Sequence, residues 1–493
     1  MIAGPHVRTG AYEERPPMHD MSRLTTGISG LDQILAGGFI AGASYIIQGQ
    51  PGAGKTILSN QIAFSHLEGG GKVLYVTLLA ESHERLFQAL DVLDFFDRSK
   101  LGNDITYVSV FQTLRDEGLD AVVKLLRRET KRQGATLLVF DGLLNARDRA
   151  ETDFDVKTFV AEIQGQAAFV GCSVLFLTSS SVKEISPEHT MVDGVVELTD
   201  TLAGVRSVRQ IQIRKSRGSR AIGGLHEFEI SNTGITVYPR LEALADPGIA
   251  ALEPATGRVG SGLAELDALL GGGIPRGSVT LLAGPTGGGK TTLGLHFLSQ
   301  SNAEEPGLHF GFFETPHRLY AKSRSLGIAL PASGSPDLTM HWTSLSDNIL
   351  DKLGDQLLDQ VQQRGIKRLF IDGFGGFERA AHHRPRLIEF FASLVDRLRA
   401  LSVTTLATWE IRELVGTDVT APARDLSAIL DNMILLRQVE EDHRLVRSIS
   451  VQKVRDGNFD SAAHLIEFAE GGLAIGASLH HELAAPSSDP IDG

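Results

Sequence analysis

The chain has almost no cysteine, few aromatic residues (6%) and no long apolar run. Cys172 is the only cysteine in 493 residues, which excludes an intramolecular disulfide and a cysteine metal cluster. Because its surroundings, GCSVLFLTS, are apolar and typical of a strand, we expect a buried thiol. No apolar run reaches the roughly 18 residues of a membrane span, and residues 1–20 contain no signal-peptide core. We therefore expect a soluble, cytoplasmic protein without a membrane partner.

Basic residues are the scarcer of the two charges. The 47 Lys and Arg stand against 60 Asp and Glu, and the net charge is −13. A chain of this charge repels a polyanion as a whole, so we do not expect nucleic acid as a partner. The histidine pairs 382–383 and 480–481 have no acid or cysteine at metal-ligand spacing, so they are interpreted as surface residues.

Glycine is abundant, with 53 residues, and two glycine-rich segments have nearly the same sequence. GQPGAGKT occupies 49–56 and GPTGGGKT occupies 284–291. Asp32 and Asp267 precede these segments by the same number of residues, and further matches follow on the C-terminal side. Similarity that extends over most of the chain indicates a tandem duplication.

Each copy alternates short apolar strands with amphipathic helices, which is typical of a parallel sheet covered on both faces. We predict two α/β domains, at residues 21–240 and 257–475. Residues 241–256 lack periodicity and contain two prolines, which predicts a linker. Residues 1–20 are expected to be a disordered tail, and residues 476–493 a flexible tail.

Both glycine-rich segments satisfy the phosphate-loop pattern G-x-x-x-x-G-K-[ST], each between an apolar strand and a helix. In such a loop backbone N–H groups hold nucleotide phosphates, and the start of the helix adds its dipole. Lys55 and Lys290 would bring a mobile positive charge to the phosphates, and both are also predicted to be catalytic residues. The predicted nucleotide-binding residues are Gly49, Gly52, Ala53, Gly54, Lys55, Thr56, Gly284, Gly287, Gly288, Gly289, Lys290, Thr291 and Thr292.

Two hydroxyls and two carboxylates are candidates for holding Mg²⁺ beside ATP. Thr56 and Thr291 follow the loop lysines, and Asp141 and Asp372 end the apolar strands TLLVFD and RLFID. A carboxylate at that strand end is suited to hold Mg²⁺ through water, next to the loop hydroxyl. ATP and Mg²⁺ are therefore the predicted ligands.

A glutamate follows the second strand of each copy, in LLAESHERL at 78–86 and GFFETPHRL at 311–319. Glu81 and Glu314 could each polarise the water that attacks the terminal phosphate, as general bases. Glu314 is also a candidate magnesium ligand. The alternative for both is a solvated carboxylate that caps a turn.

These motifs resemble the KaiC family of RecA-like ATPases, which includes circadian-clock ATPases and autokinases. The resemblance covers about residues 23–475, nearly the whole chain. It rests on the runs GLDQILAGG and ELDALLGGG ahead of the phosphate loops, on E-[ST]-x-x-x-L after the second strand, and on K-x-R at 215–217 and 453–455. The resemblance implies two tandem RecA-like P-loop NTPase domains, each a mostly parallel twisted sheet with helices on both faces.

The resemblance also implies a homohexamer of two stacked rings, with ATP bound between subunits and with regulatory protein partners. Basic residues from the neighbouring subunit would then stabilise the charge on the transferred phosphoryl group. A nucleic-acid contact or a solvated strand remains the alternative for the basic segment 206–220. The residues that match the trans positions are Arg209, Lys215, Arg217, Arg447, Lys453 and Arg455.

Two departures from the family pattern bear on activity. The family usually has two adjacent glutamates where this chain has only Glu81 and only Glu314, so hydrolysis is expected to be slow or to depend on one carboxylate. At the family's adjacent Ser and Thr phosphorylation sites, this chain has Ser427 and Ala428. A two-site cycle is therefore excluded, while autophosphorylation of Ser427 by a serine/threonine kinase activity stays open.

Two other functions remain open. A nucleotide-gated scaffold that assembles, hydrolyses little ATP and signals to partners is favoured by the missing glutamates. A DNA-processing motor, such as a recombinase or helicase, shares the RecA-like core. The net charge and the few basic residues in 373–386 argue against that motor.

Overall fold

The computed structural model describes residues 22–78, 83–143, 153–179, 187–244, 253, 255–346, 348–411, 426–441, 444–455, 457–469 and 471–478. The chain forms two compact units, which divide between Pro239 and Arg240. Each unit is described below by itself.

The first unit alternates strands and helices through its N-terminal two thirds and ends in a run of strands. Its strands are β1 (Arg23–Leu24), β2 (Phe39–Ile40), β3 (Ser44–Gly49), β4 (Val73–Thr77), β5 (Ile105–Ser109), β6 (Leu137–Asp141), β7 (Ser173–Thr178), β8 (Gly194–Ala203), β9 (Arg206–Ser216), β10 (Leu225–Ser231) and β11 (Gly234–Tyr238). Its helices are α1 (Ser29–Ile34), α2 (Lys55–Glu68), α3 (Glu84–Leu90), α4 (Phe111–Glu117), α5 (Leu119–Gln133) and α6 (Asp153–Phe169), with 3₁₀ turns at Arg98–Lys100 and Pro187–Thr190.

The second unit repeats this order of elements. Its strands are β12 (Arg258–Val259), β13 (Ile274–Pro275), β14 (Val279–Gly284), β15 (Gly307–Gly311), β16 (Leu338–Trp342), β17 (Arg368–Asp372), β18 (Thr404–Glu410), β19 (Asn432–Glu441), β20 (Arg444–Val454), β21 (His464–Ala469) and β22 (Gly472–Ser478). Its helices are α7 (Ala264–Leu269), α8 (Lys290–Ser299), α9 (Pro316–Ser325), α10 (Leu350–Gln363), α11 (Gly375–Ala380), α12 (Leu387–Ala400) and α13 (Leu426–Ile429), with 3₁₀ turns at Leu241–Leu244 and Arg384–Arg386.

The main sheets of the two units have the same topology. Within the described residues the first runs β11-β10-β9-β8-β3-β7-β6-β4-β5 and the second runs β22-β21-β20-β19-β14-β18-β17-β15-β16. The six strands from β8 to β5, and from β19 to β16, pair in parallel, and the other three are antiparallel. The phosphate-loop strand therefore lies inside the parallel part of each sheet.

Side chains that alternate along the phosphate-loop strands pack into different core clusters. Tyr45 and Ile47 of β3 belong to one cluster and Ile46 to another. In β14, Leu281 packs into one cluster and Leu282 into another. Both faces of each sheet are therefore covered, as a parallel sheet requires. This architecture confirms the prediction of two tandem α/β domains of the RecA-like type.

Cys172 lies fully buried in the core of the first unit, as its apolar surroundings predict. Burial raises the pKa of its thiol to about 12, so the thiolate is suppressed. In the part of the chain that the structure describes, no helix combines the length and the apolar character needed to cross a membrane.

The segment predicted as a linker, 241–256, begins with the 3₁₀ turn Leu241–Leu244, which packs on the second unit. Leu241 is buried in the core of that unit. Glu242 accepts two hydrogen bonds from Arg386 at 2.8 and 2.9 Å, and Arg386 also binds the buried Asp351 at 2.7 and 3.0 Å. Residues 241–244 are thus structurally part of the second unit, because Asp351 and Arg386, to which they bind, belong to that unit.

The predicted tails are mostly outside the described residues. This holds for residues 1–20 and for 479–493. Residues 476–478 belong to β22, where Ser478 pairs with His464 of β21.

Candidate functional site

Each phosphate loop contains two glycines in the left-handed region at equivalent places. The φ angles are +84° for Gly52 and +101° for Gly54, and +74° for Gly287 and +103° for Gly289. Residues with a side chain adopt such values only at a cost, so glycine permits this turn. Gly54 and Gly289 directly precede α2 and α8, whose first N–H groups have no partner within the helix. Each loop is therefore a site for an anion.

The loop lysines adopt the same position in both units. Lys55 Nζ donates hydrogen bonds to the carbonyl oxygens of Gly49 and Gln50 at 2.8 and 3.0 Å. Lys290 Nζ makes the equivalent contacts in its own loop at 2.7 and 2.8 Å. Burial lowers the pKa of both amines, and nearby carboxylates partly offset this effect. Each cation thus lies within the loop that would receive the phosphates.

Besides Lys55, two of the predicted nucleotide-binding residues have buried side chains. Ala53 is 1% exposed and Thr292 is 4% exposed. A buried side chain leaves only the backbone N–H group to face a phosphate. For these two positions we therefore expect contacts from the backbone alone.

Asp372, at the end of β17 in the second unit, accepts hydrogen bonds from two hydroxyl groups. Thr291 Oγ1 donates to Asp372 Oδ2 at 3.1 Å, and Thr408 Oγ1 donates to Oδ1 at 3.0 Å. His309 Nε2 lies 3.9 Å from Oδ2. Burial raises the pKa of Asp372, but His309 and the two hydroxyls outweigh it, and the net shift is downward. The carboxylate form is therefore favoured.

Asp141, at the end of β6, has a different environment in the first unit. Burial raises its pKa, and the charge of Lys55 and a hydrogen bond from Thr56 only partly oppose this. The place of His309 is taken by Tyr75, since both precede by two residues the position paired with the aspartate. The buried hydroxyl of Tyr75 forms hydrogen bonds with the side chains of Ser59 and Asn60 in α2.

Glu314, the predicted general base of the second unit, lies on the turn between β15 and α9. Its Oε1 accepts a hydrogen bond from Lys322 Nζ of α9 at 2.7 Å. This ion pair occupies one carboxylate oxygen and neutralises part of the negative charge. Glu81, the predicted counterpart in the first unit, lies outside the described residues.

Sequence reasoning missed Glu410, the last residue of β18. Its carboxylate accepts a hydrogen bond from the hydroxyl of Thr286, the third residue of the second phosphate loop. The signal that identified Asp372 was available here too, since Glu410 ends the apolar strand TTLATWE. It was missed because only the pairing of β18 with β14 brings that strand end to the loop.

The lysines of the two K-x-R motifs have equivalent contacts. Lys215 Nζ donates to carbonyl oxygens at both ends of 189–192, at 2.8 and 2.6 Å. Lys453 Nζ does the same for 427–430, at 2.8 and 2.7 Å. The duplication therefore extends to the hydrogen bonds of these side chains. Within the described residues, these bonds do not reach the phosphate loops of the same unit.

The arginines of the two motifs also match. Arg217 Nη2 donates to the carbonyl of Thr190, and Arg455 Nη2 donates to that of Ala428, both at 3.4 Å. Arg455 additionally pairs with Asp431 at 3.2 Å. Arg217 and Arg455 are more exposed than the lysines beside them.

The two upstream arginines differ from each other. Arg209 Nε donates to Asp200 on the neighbouring strand β8 at 3.1 Å. Arg447 Nε donates to the carbonyl of Gly287, in the phosphate loop of its own chain, at 3.0 Å. Its guanidinium also lies 5.1 Å from the ring centre of Phe468. Arg447 therefore contacts the phosphate loop of its own chain, and its predicted contact with a neighbouring chain stays a prediction.

The hydroxyl and carboxylate oxygens beside each phosphate loop suit magnesium bound together with a nucleoside triphosphate. Thr56 with Asp141, and Thr291 with Asp372, combine the hydroxyl and carboxylate oxygens that Mg²⁺ prefers. Among the described residues, no cluster of three or more His, Cys, Asp and Glu could hold a metal without phosphate oxygens. A metal would thus depend on the nucleotide, as in other phosphate-loop sites.

A family model described as "ATPase: KaiC" matches residues 24–242 and 259–480. The chain belongs to the KaiC ATPase family. The two matched segments coincide with the two copies of the duplicated unit. KaiC ATPases bind nucleotide, so this assignment supports the anion sites and donor sets described above.

Curated relatives carry the same family name. Over 496 residues the chain is 24% identical to the "Circadian clock oscillator protein KaiC" of Picosynechococcus, which covers 95% of this chain and 92% of that protein. It is 25% identical to the "Circadian clock protein KaiC3" of Synechocystis, with 96% and 95% covered. For the KaiC protein of Synechococcus elongatus the identity is 23%, with 92% and 89% covered.

Proposed function

We propose that this KaiC-family protein binds Mg-ATP in both units and hydrolyses it slowly, as an ATP-driven signalling switch of the cytoplasm. The observation that carries this proposal is the repetition, in both units, of a loop lysine beside a threonine–aspartate pair. Clock function is a property of the named relatives. For this chain we propose only the switch and its regulatory protein partners.

The residues of each loop would divide the work on the triphosphate. The N–H groups before α2 and α8 would hold the phosphate oxygens, and Lys55 and Lys290 would offset their negative charge. Each threonine–aspartate pair would hold Mg²⁺, which supplies positive charge to the phosphate oxygens. Glu314 would orient the attacking water in the second unit, and Glu81 in the first.

We further propose a homohexamer of two rings, in which the basic residues of one chain complete the ATP sites of the next. The geometry of Lys215 and Lys453 supports this. The amine of each is hydrogen-bonded to two backbone carbonyl oxygens of a segment outside the phosphate loop of its own unit. Arg217 and Arg455 remain candidates for contacts in trans, while Arg447 is now a candidate in cis.

Light scattering with and without Mg-ATP tests the assembly. A shift from a small species to one of six chains supports the proposal, and a monomer at saturating Mg-ATP contradicts it. The variants Arg217→Ala and Arg455→Ala each remove one candidate cation of the neighbouring site. Each should keep the fold and lose hydrolysis at the site that its arginine completes, because the charge on the transferred phosphoryl group would then lack its partner from the next chain.

Autophosphorylation of Ser427 is a finer proposal. The side chain of Ser427 is exposed on α13, and Lys453 Nζ lies 2.8 Å from its carbonyl oxygen. A phosphate at this position would gain favourable contacts with a nearby cation. Mass spectrometry after incubation with Mg-ATP should find phosphate on Ser427, and phosphate found only at other residues would reject this site.

A nucleotide-gated scaffold is the second candidate. The pairing of Glu314 with Lys322 favours it, because a carboxylate occupied by a lysine is less available to a water molecule. Turnover at the C-terminal site, isolated by Lys55→Ala, separates the two: hydrolysis that Glu314→Gln lowers supports the ATPase, whereas hydrolysis no faster than in that variant supports the scaffold.

A further inference from the structure

Glu410 is a carboxylate at the second phosphate loop that the proposed function has not used. It ends β18 and pairs in register with Gly284, the first residue of the loop. Its backbone neighbour Ile411 donates an N–H hydrogen bond to the carbonyl of Gly284 at 3.1 Å. The strand end and the start of the loop are therefore fixed to each other.

The side chain of Glu410 continues this attachment into the turn of the loop. Its carboxylate accepts a hydrogen bond from the Thr286 hydroxyl. The carbonyl of Thr286 accepts from Gln438 Nε2 at 3.4 Å, and the next carbonyl, of Gly287, accepts from Arg447 Nε at 3.0 Å. Three side chains, from β18, β19 and β20, thus hold two consecutive loop residues.

The electrostatics agree with this placement. Burial lowers the pKa of Lys290, and Glu410 is the first carboxylate that opposes this shift, ahead of Asp372. A carboxylate that influences Lys290 and binds Thr286 lies close to the phosphate loop. Glu314, in contrast, is engaged by Lys322.

The first unit has no acid at the matching place. Gln48 of β3 pairs with Thr178 of β7, so the residue that follows the strand, Ser179, occupies the register position of Glu410. The position of Arg447 is occupied there by Arg209, which is paired with Asp200 instead of with the loop. Within the described residues, bracing by a carboxylate and an arginine is therefore specific to the second unit.

We propose that Glu410 is a positioning residue of the C-terminal ATPase site, which acts through Thr286 to hold the phosphate loop in the shape that hydrolysis requires. The proposal rests on the proposed ATPase function. The positioning role requires a hydrogen-bond acceptor for Thr286, and the amide oxygen of glutamine can also accept that hydrogen bond. The N-terminal site works without such a residue.

A double-mutant cycle in the full-length chain tests the inference, with ATP turnover as the readout. In a Lys55→Ala background, which leaves the C-terminal site active, Glu410→Ala and Thr286→Val should each lower kcat about tenfold, the double variant should be no slower than either, and Glu410→Gln should keep at least half of the kcat of that background. The same substitutions in a Lys290→Ala background, where only the N-terminal site is active, should change turnover less than twofold. Ser179→Ala is the matched control in the first unit.

The outcomes are distinct. A wild-type rate for Glu410→Ala, additive losses in the double variant, or an equal loss for Glu410→Gln and Glu410→Ala would each overturn the inference. Absence of turnover in the unmodified protein would instead overturn the proposed ATPase function. Unchanged thermal unfolding of Glu410→Gln and Thr286→Val verifies that the losses do not come from misfolding.

Discussion

The two nucleotide sites of this chain share their loop geometry and differ in the side chains around the aspartate that ends β6 in one unit and β17 in the other. Asp372 is surrounded by two hydroxyls and His309, which together lower its pKa. Asp141 is partly buried and has fewer compensating partners, and the burial raises its pKa. The two copies thus share the backbone conformation of the phosphate loop, while the side chains that shift the pKa of the aspartate differ. We expect the two sites to differ in catalytic chemistry more than in nucleotide affinity.

The largest expected effect concerns the ion network at the start of the second unit. Arg386→Ala leaves the nearly buried carboxylate of Asp351 without its cation and leaves Glu242 with Arg240 alone, which should lower the unfolding free energy of this unit by about 3–5 kcal/mol. Calorimetry should show the transition of the second unit moving down and that of the first unchanged. The exposed Arg364→Ala is the control, and a shared shift of both transitions would contradict independence of the units.

Next in size are the loop lysines. Lys55→Ala and Lys290→Ala should each weaken their own site by roughly 30-fold to 150-fold, since a charged hydrogen-bond partner contributes about 2–3 kcal/mol. Nucleotide bound per chain, measured at a concentration that saturates the wild type, should fall from two to one in either variant. Loss of both nucleotides from a single substitution would show that the sites are coupled.

A smaller effect is expected for the general base. Glu314→Gln should lower turnover at the C-terminal site about 10-fold, below the usual range for a general base, because Lys322 already occupies the carboxylate. Steady-state turnover in a Lys55→Ala background isolates that site. Lys322→Gln is the matched variant, and a rate at or above the wild-type rate is expected because it releases the carboxylate.

The smallest effect is a difference in pH dependence. A raised pKa means that Asp141 takes up its proton at a higher pH than an ordinary aspartate, and its charged form is lost first on acidification. Because the pKa of Asp372 is lowered in the folded protein, its charged form stabilises the fold at pH values above the pKa of the unfolded state. This contribution is lost only as the pH falls through the pKa of the folded state. Mg-nucleotide retention should therefore fail at a higher pH in Lys290→Ala than in Lys55→Ala. The reverse order would contradict the assignment.

Much of the fold was predictable because it depends on local patterns. Apolar strands that alternate with amphipathic helices predict a parallel sheet in each copy, and the repeated loops predict the duplication. Lys55, Lys290, Asp141 and Asp372 were identifiable since each directly follows a strand or loop of recognisable sequence. The structure places Asp141 and Asp372 at the ends of β6 and β17, and Lys55 and Lys290 at the starts of α2 and α8.

Other features depend on pairings that no local pattern contains. Glu410 reaches the loop only because β18 lies beside β14, and His309 faces Asp372 only because β15 lies beside β17. The 3₁₀ turn Leu241–Leu244 resembles a linker in sequence, since its partner Asp351 is more than a hundred residues away. Such contacts become visible only once the strand order is known.

The attachment of Leu241–Leu244 has a practical consequence for dissecting the protein. A recombinant C-terminal half that starts at residue 257, where the sequence pattern resumes, would lack Glu242 and the N–H of Leu241 that binds Asp351. It would expose apolar surface on α10 and α12 and leave a guanidinium partly unmatched, which favours aggregation. A half cut at residue 240 would keep these groups together.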